Sequence, residues 1–314
     1  MKFLVYIQSH DSKINNNSLE SLCAAQKMAS NANAEVHAIT FDKSVADSLS
    51  KYNLSSVIFV NNQELSSYNP LYYLKCIELL NKSYNPDLLI FGHTYETRDW
   101  VPRLSARFEC PFISDCTNID TTDNMTFIRP IFQAKLNEKI KLDGKGIISF
   151  QAGSFSKDEL VQGNCKIEEK SLDLSGIELT INPGERFKES AEGVDLSTAE
   201  IIVSIGRGIS KEENIPLAKE LAKKLNAQIG ASRPVVDAGW LDHSFQIGSS
   251  GQTVTPKLYL AVGISGAIQH LVGMKGSKNI MAINKDPNAP IFEISDYAVV
   301  GDIFEILPKL IEQL

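Results

Sequence analysis

The stretch KLYLAVGISGAIQH, residues 257–270, runs from an apolar segment into Gly263, Ser265 and Gly266, with a histidine four residues further on. Glycines directly after a strand let the backbone approach an anion closely, and a helix opening there would add unpaired N–H groups and a favourable dipole. Ser265 contributes a hydroxyl. The arrangement predicts a glycine turn that anchors a phosphate or pyrophosphate, with His270 placed against the same ligand. The motif is not GxGxxG, and GxxG alone is a weak signal. A lone histidine near a helix is more often structural than functional, and its place beside this turn is what favours a role.

Other strand ends carry matching chemistry. Arg207 sits in GRG (206–208), where its guanidinium could clamp a phosphate or form a salt bridge. Ser232 and Arg233 repeat the arrangement, with Pro234 setting the turn. FQIGSSGQTV (245–254) exposes backbone around Gln246, Ile247, Gly248, Ser249 and Ser250, which suits the edge of a heteroaromatic ring. It also reads as a flexible surface loop. NIMAINKD supplies Asn284 and Asp286 at a strand end, where the ribose of a nucleotide would need polar partners, and YAVV ends in GD, with Asp302.

These residues need a scaffold that brings strand ends together. In both halves of the chain, short apolar runs alternate with amphipathic segments, the pattern of βαβ units and parallel sheets. In the first half the runs are KFLVYIQ (2–8), AEVHAITF (34–41), SSVIFV (55–60) and DLLIFGHT (87–94), with helices over 18–29, 70–83 and RDWVPRLSARF. Ser18 is the expected N-cap of the first helix. After Pro111, MTFIRPIFQAKLN and KGIISFQAGSF read as sheet additions without crossover helices. Residues 181–200, rich in charge and lacking apolar periodicity, read as an interdomain linker. The expected fold is α/β, with two parallel-sheet Rossmann-like domains over 1–180 and 201–314. In such open sheets ligands bind beyond the carboxyl ends of the strands.

Composition removes several classes. The 314 residues carry a net charge of −7 and no basic tract, so no nucleic-acid footprint is visible. No run of about 18 apolar residues predicts a membrane span. MKFLVYIQSH reads as a first strand rather than a signal peptide, which leads to an expected cytoplasmic location. Five cysteines, none in CxxC spacing, argue against a metal site or disulfide framework. Walker A, HExxH and GxSxG patterns are absent.

The order GRG, SRPVVDAGW, the GSSG loop, LYLAVGISGAIQH and AINKDPNAPIF resembles the α subunit of electron transfer flavoproteins almost continuously over about 200–314. The first half matches more loosely, through DLLIFGHT, RDWVPRLSARF and the strand before SFQAGSF. That resemblance implies one FAD in the C-terminal domain and a heterodimer with a β subunit, which would hold AMP or a second FAD. It implies an electron shuttle with no catalytic residue of its own, fed by flavin dehydrogenases and emptied by a quinone oxidoreductase or another acceptor. By position it implies FAD contacts at Arg207, Ser232 and Ser265 to Gln269, chiefly to the phosphates and ribityl chain. Gln246 joins the cofactor contacts, and Ile247 to Ser250 lie along the flavin edge with the Ser250 hydroxyl facing N5. Arg233 lies beside the isoalloxazine, His270 near its O2, and Asn284 and Asp302 toward the adenosine. The chain departs from the common GQTG loop with Ser249 for Gln and Ser250 for Thr. Reduced flavin is anionic along its N1–C2=O edge, so donors held there favour reduction. Two other classes remain: a nicotinamide-dependent dehydrogenase, for which no acid–base pair is visible, and a non-redox nucleotide-binding regulatory protein.

Overall fold

The computed structural model describes residues 1–120, 125–132, 134–184, 196 and 199–314. It divides into two compact units, Met1–Arg186 and Phe187–Leu314. Most of the expected linker, 181–200, lies outside the described residues. Leu196, within that span, is fully buried among Ile202, Ile247 and Tyr259, and its N–H donates to Gln252 Oε1 at 2.9 Å. The second core therefore draws on chain that precedes residue 201.

In chain order the first unit runs β1 (Lys2–Tyr6), the ribbon β2 (Ser9–His10) and β3 (Lys13–Ile14), α1 (Asn16–Ala32), β4 (Glu35–Thr40), α2 (Lys43–Leu49), β5 (Ser56–Val60), α3 (Pro70–Tyr84), β6 (Leu88–Gly92) and α4 (Tyr95–Phe108). It continues through β7 (Phe112–Cys116), β8 (Asn118–Asp120), β9 (Thr126–Ile131), β10 (Leu136–Lys141), β11 (Gly146–Phe150) and β12 (Lys166–Lys170). Seven of these strands pair in the order β12-β5-β4-β1-β6-β11-β7, every pair parallel. Both faces are covered. Phe3 and Val5 join one core with α1, while Leu4 and Tyr6 join the other with α3 and α4. A strand buried on both sides reads as a continuous apolar run, which is why KFLVY was visible as a strand.

Two expectations need correcting. Asn15, not Ser18, caps α1, its side chain accepting from the Asn17 N–H at 2.9 Å. Ser18 lies inside the helix, and its hydroxyl accepts from the Gln8 N–H at 3.0 Å. The segment containing KGIISF joins the sheet as expected, as the inner strand β11 between β6 and β7, whereas Thr126–Ile131 is not an addition to it but part of a separate sheet. The antiparallel sheet β10-β9-β8 fills the β7-to-β11 connection where a crossover helix would ordinarily stand.

The second unit runs β13 (Ile201–Ile205), α5 (Ile215–Lys224), β14 (Gln228–Ala231), α6 (Arg233–Asp237), β15 (Leu258–Val262), α7 (Ile268–Leu271), β16 (Ile280–Asn284), β17 (Tyr297–Val300) and α8 (Ile303–Gln313). The sheet order β14-β13-β15-β16-β17 is again all parallel. Chain direction across the sheet reverses between β13 and β15, so the connections leave that pair on opposite faces. The gap they leave at the carboxyl ends is where an open sheet binds ligands. Among the described residues no helix is long and apolar enough to cross a membrane.

Candidate functional site

The β13–β15 gap opens into a cleft of about 480 Å³ within the second unit. Thirteen of the sequence-derived candidates line it: Arg207, Ser232, Arg233, Gln246, Ile247, Gly248, Ser249, Ser250, Ser265, Gly266, Ala267, Gln269 and His270. Pro234, Asp237, Gly263 and Ile264 line it as well. Ile268, Asn284 and Asp302 are not among the lining residues. Ile268 is exposed at the start of α7. Asn284 is buried, and its amide donates to the Ile264 carbonyl at 2.8 Å, which holds the 263–266 turn from behind. Asp302 caps α8, accepting from the Phe304 N–H at 2.8 Å.

The walls meet backbone to backbone. Gly208 N–H donates to the Gly263 carbonyl at 3.0 Å, joining the ends of β13 and β15. Gly266 has φ +91°, and a Cβ built there would lie 2.3 Å from the Ile291 nitrogen. The turn is therefore shaped by an atom-tight fit, and only glycine satisfies it. The amides of Ser265, Gly266 and Ala267 are not spent on any acceptor among the described residues. The helix expected beyond is a single turn of four residues, Ile268–Leu271. So short a helix sums few peptide dipoles, and anion attraction here rests on free amides and side chains.

The opposite wall is the 246–252 loop. Ile247 N–H donates to the Ala231 carbonyl at 2.9 Å, and Ser249 N–H to the Gln269 carbonyl at 2.7 Å. Gln246 is buried and its amide donates to Ser250 Oγ at 3.0 Å, which leaves the Ser250 hydroxyl proton free to donate. The loop thus has bonds at both ends and a side-chain brace, unlike a free surface excursion.

The two arginines differ. Arg233 Nε donates to Asp237 Oδ2 at 3.2 Å, both side chains being largely exposed. Asp237, which sequence reading passed over, offsets that cation at the cleft; the RPVVD spacing of i,i+4 was the available signal. Arg207 has no carboxylate partner among the described residues and is the cation left for an anionic ligand.

His270 is 6% exposed. Its Nε2 lies 2.8 Å from the phenol oxygen of the fully buried Tyr259, and its Nδ1 is buried without a hydrogen-bond partner. Burial pushes its pKa down to about 4, against a smaller upward pull from the Ile247 carbonyl. The ring is neutral at physiological pH. The unfolded chain takes up this proton near pH 6.5, the folded chain only near 4, so stability is lost as pH falls between those values. His270→Gln removes the titration and is expected to flatten the acid slope of thermal unfolding, about 3 kcal/mol across the window. His93, also lowered to about 4 by burial, contributes an independent slope in the first unit. Identical pH profiles for wild type and His270→Gln would show that His270 is not buried neutral.

Comparison with known proteins bears on this cleft. The profile described as "Electron transfer flavoprotein FAD-binding domain" matches residues 195–275, and that described as "Electron transfer flavoprotein domain" matches 3–175. The electron transfer flavoprotein subunit alpha of Bacillus subtilis is 38% identical over 99% of this chain and 97% of its own length. That of Thermoanaerobacterium thermosaccharolyticum is 36% identical over 99% of this chain and 96% of its own. A subunit of a lactate dehydrogenase (NAD(+),ferredoxin) from Acetobacterium woodii is 32% identical over 99% of this chain and 76% of its own.

Proposed function

Because this chain belongs to the electron transfer flavoprotein family, as an α subunit with the family's FAD-binding domain, we propose that it holds one FAD in the β13–β15 cleft and carries electrons as half of a heterodimer with a β subunit. Flavin dehydrogenases are the donors in this reading, and a quinone oxidoreductase or another acceptor takes the electrons onward. The partner subunit would hold AMP or a second FAD. The observation that carries the reading is a cleft whose unspent groups match one ligand: free amides and Arg207 for a pyrophosphate, an unpartnered buried Nδ1 and a free hydroxyl for a polar ring.

The donor set fits the cofactor. Arg207, Ser232 and the Ser265–Ala267 amides would hold the pyrophosphate and ribityl chain by charge-assisted hydrogen bonds. Ile247 and Ile264 supply apolar wall and keep water from the ring. Ser250, braced by Gln246, offers a hydroxyl donor to a ring nitrogen. His270 offers a neutral N–H donor, which stabilises negative charge in a dry site without contributing a full cation. The paired Arg233 and Asp237 contribute a dipole rather than a bare charge. The flavin, when bound, supplies the one- and two-electron chemistry, and the protein supplies position and field.

Co-expression with the β-subunit gene is expected to give a yellow complex from which acid extraction releases one FAD per α chain from the cleft, in addition to any nucleotide held by the partner. Arg207→Ala should lower retained FAD by roughly ten-fold or more, since one charge-assisted contact contributes about 1.5–3 kcal/mol. A complex that stays colourless with FAD in excess, or FAD retention indifferent to Arg207, would overturn the reading.

A further inference from the structure

Tyr259 lies on β15, three residues before its end, paired across the sheet with Ile202 and Ile280. It is not among the residues that line the cleft. In an apolar strand such a tyrosine reads as core, yet its phenol ends 2.8 Å from His270 Nε2.

A buried hydroxyl whose proton meets no acceptor carries the full desolvation cost. The Tyr259 phenol has a single proton to place, and His270 Nε2 is the acceptor in range. The other polar group nearby is the Ser204 hydroxyl, buried on the adjacent strand β13 and without a hydrogen-bond partner of its own. It has a proton of its own, and as a donor to the phenol oxygen it would leave the phenol proton for His270. A neutral imidazole that accepts at Nε2 must carry its own proton on Nδ1. Nδ1 is buried without a hydrogen-bond partner, and the Ile247 backbone favours a proton on the ring. His270, a residue lining the cleft, is therefore left with one unspent donor, the buried Nδ1–H.

We propose that Tyr259 is a positioning residue for the cleft: it donates to His270 Nε2, fixes the tautomer with the proton on Nδ1, and so makes Nδ1–H the donor that meets an acceptor oxygen on the bound cofactor. The last step rests on the flavin reading above; the tautomer does not. Without Tyr259 the ring could place its proton on either nitrogen, and an Nδ1 lone pair would repel the oxygen that Nδ1–H attracts.

Selective 15N-histidine labelling of the full-length protein, purified with its partner subunit, tests this, because the chain has only five histidines and His270→Gln identifies the signal. Wild type should show a pyrrole-type Nδ1 and a pyridine-type Nε2 in both flavin-free and flavin-loaded protein, with the Nδ1 proton resonance shifting downfield on loading. Tyr259→Phe, which removes one oxygen from a buried ring, should lose the single tautomer and move Nε2 toward the pyrrole-type position. A pyrrole-type Nε2 in wild type, or an unchanged spectrum in Tyr259→Phe, would overturn the proposal. The wild-type spectrum decides the donor direction even if the variant fails to fold. A loaded spectrum identical to the flavin-free one would sink the cofactor contact alone. A protein that never binds flavin would sink the cleft assignment while leaving the tautomer measurable.

Discussion

Gly266→Ala is expected to abolish FAD retention while leaving the first unit folded. The added Cβ would stand 2.3 Å from the Ile291 nitrogen, 2.7 Å from its Cα and 2.9 Å from the Pro290 carbonyl carbon, all backbone atoms that cannot swing aside. Relief requires pulling the turn off the 290–291 segment and breaking the Ile291 N–H to Ser265 carbonyl bond of 3.1 Å. At φ +91° alanine is also strained. Strain and overpacking together are of the order of 3–5 kcal/mol. A turn displaced by that much no longer presents the Ser265–Ala267 amides in register, and affinity should fall by roughly a hundred-fold or more. FAD per chain after gel filtration and the unfolding temperature of the second unit are the measurements. Gly239→Ala is the control, because Gly239 has φ +74° but nothing within 4 Å of a new Cβ. It should cost about 1–2 kcal/mol of strain and keep the flavin. Full retention in Gly266→Ala would mean the turn has slack, and the phosphates would have to sit elsewhere on the sheet edge.

His270→Leu should lower both the first reduction potential of the bound flavin and the stability of the second unit. The swap keeps bulk but deletes the Nδ1 donor and strands the Tyr259 phenol in an apolar core. Losing a donor that strengthens as negative charge develops, at about 1–3 kcal/mol, shifts a one-electron potential down by roughly 40–130 mV. An unsatisfied buried phenol costs a further ~1–3 kcal/mol of stability. The two effects separate in a double variant. Adding Tyr259→Phe to His270→Leu makes both partners apolar and should recover much of the stability, but none of the potential. If the potential stays at the wild-type value in His270→Leu, the histidine is a core residue only, and the cleft's electronics depend on the 246–250 loop and Arg233.

Asp237 and Tyr259 show why part of the site escaped sequence reading. Arg233 stood out because a cation at a strand end is unusual. Its neutralising partner lay four residues on, and pairing depends on whether that segment is helical, as α6 proves to be. Tyr259 was hidden by its setting: LYLAV is apolar by pattern, and whether its hydroxyl points to a partner depends on which residue packs beneath. Asn284 is the converse. At a strand end it looked available to a ribose, and the structure shows a second use for it, since its amide donates one hydrogen bond to the Ile264 carbonyl.

Asn15, Asn16, Asn17 and Ser18 are all good N-cap types, so the local sequence leaves the start of α1 ambiguous. The choice is made by Gln8, whose N–H takes the Ser18 hydroxyl and leaves Asn15 to cap.

What the sequence by itself determined was the parallel α/β character of both units and the composition of the binding edge. Those follow from strand-length apolar runs and from glycine, serine and arginine at their ends, which are local properties. What the tertiary structure decided was which strand ends share one cleft and which of their groups remain unspent. The order β14-β13-β15-β16-β17 puts the first three ends around one gap and leaves the ends of β16 and β17 outside its lining. A polar group's availability depends on whether packing has already given it a partner, and that is a property of distances across the sheet rather than of positions along the chain.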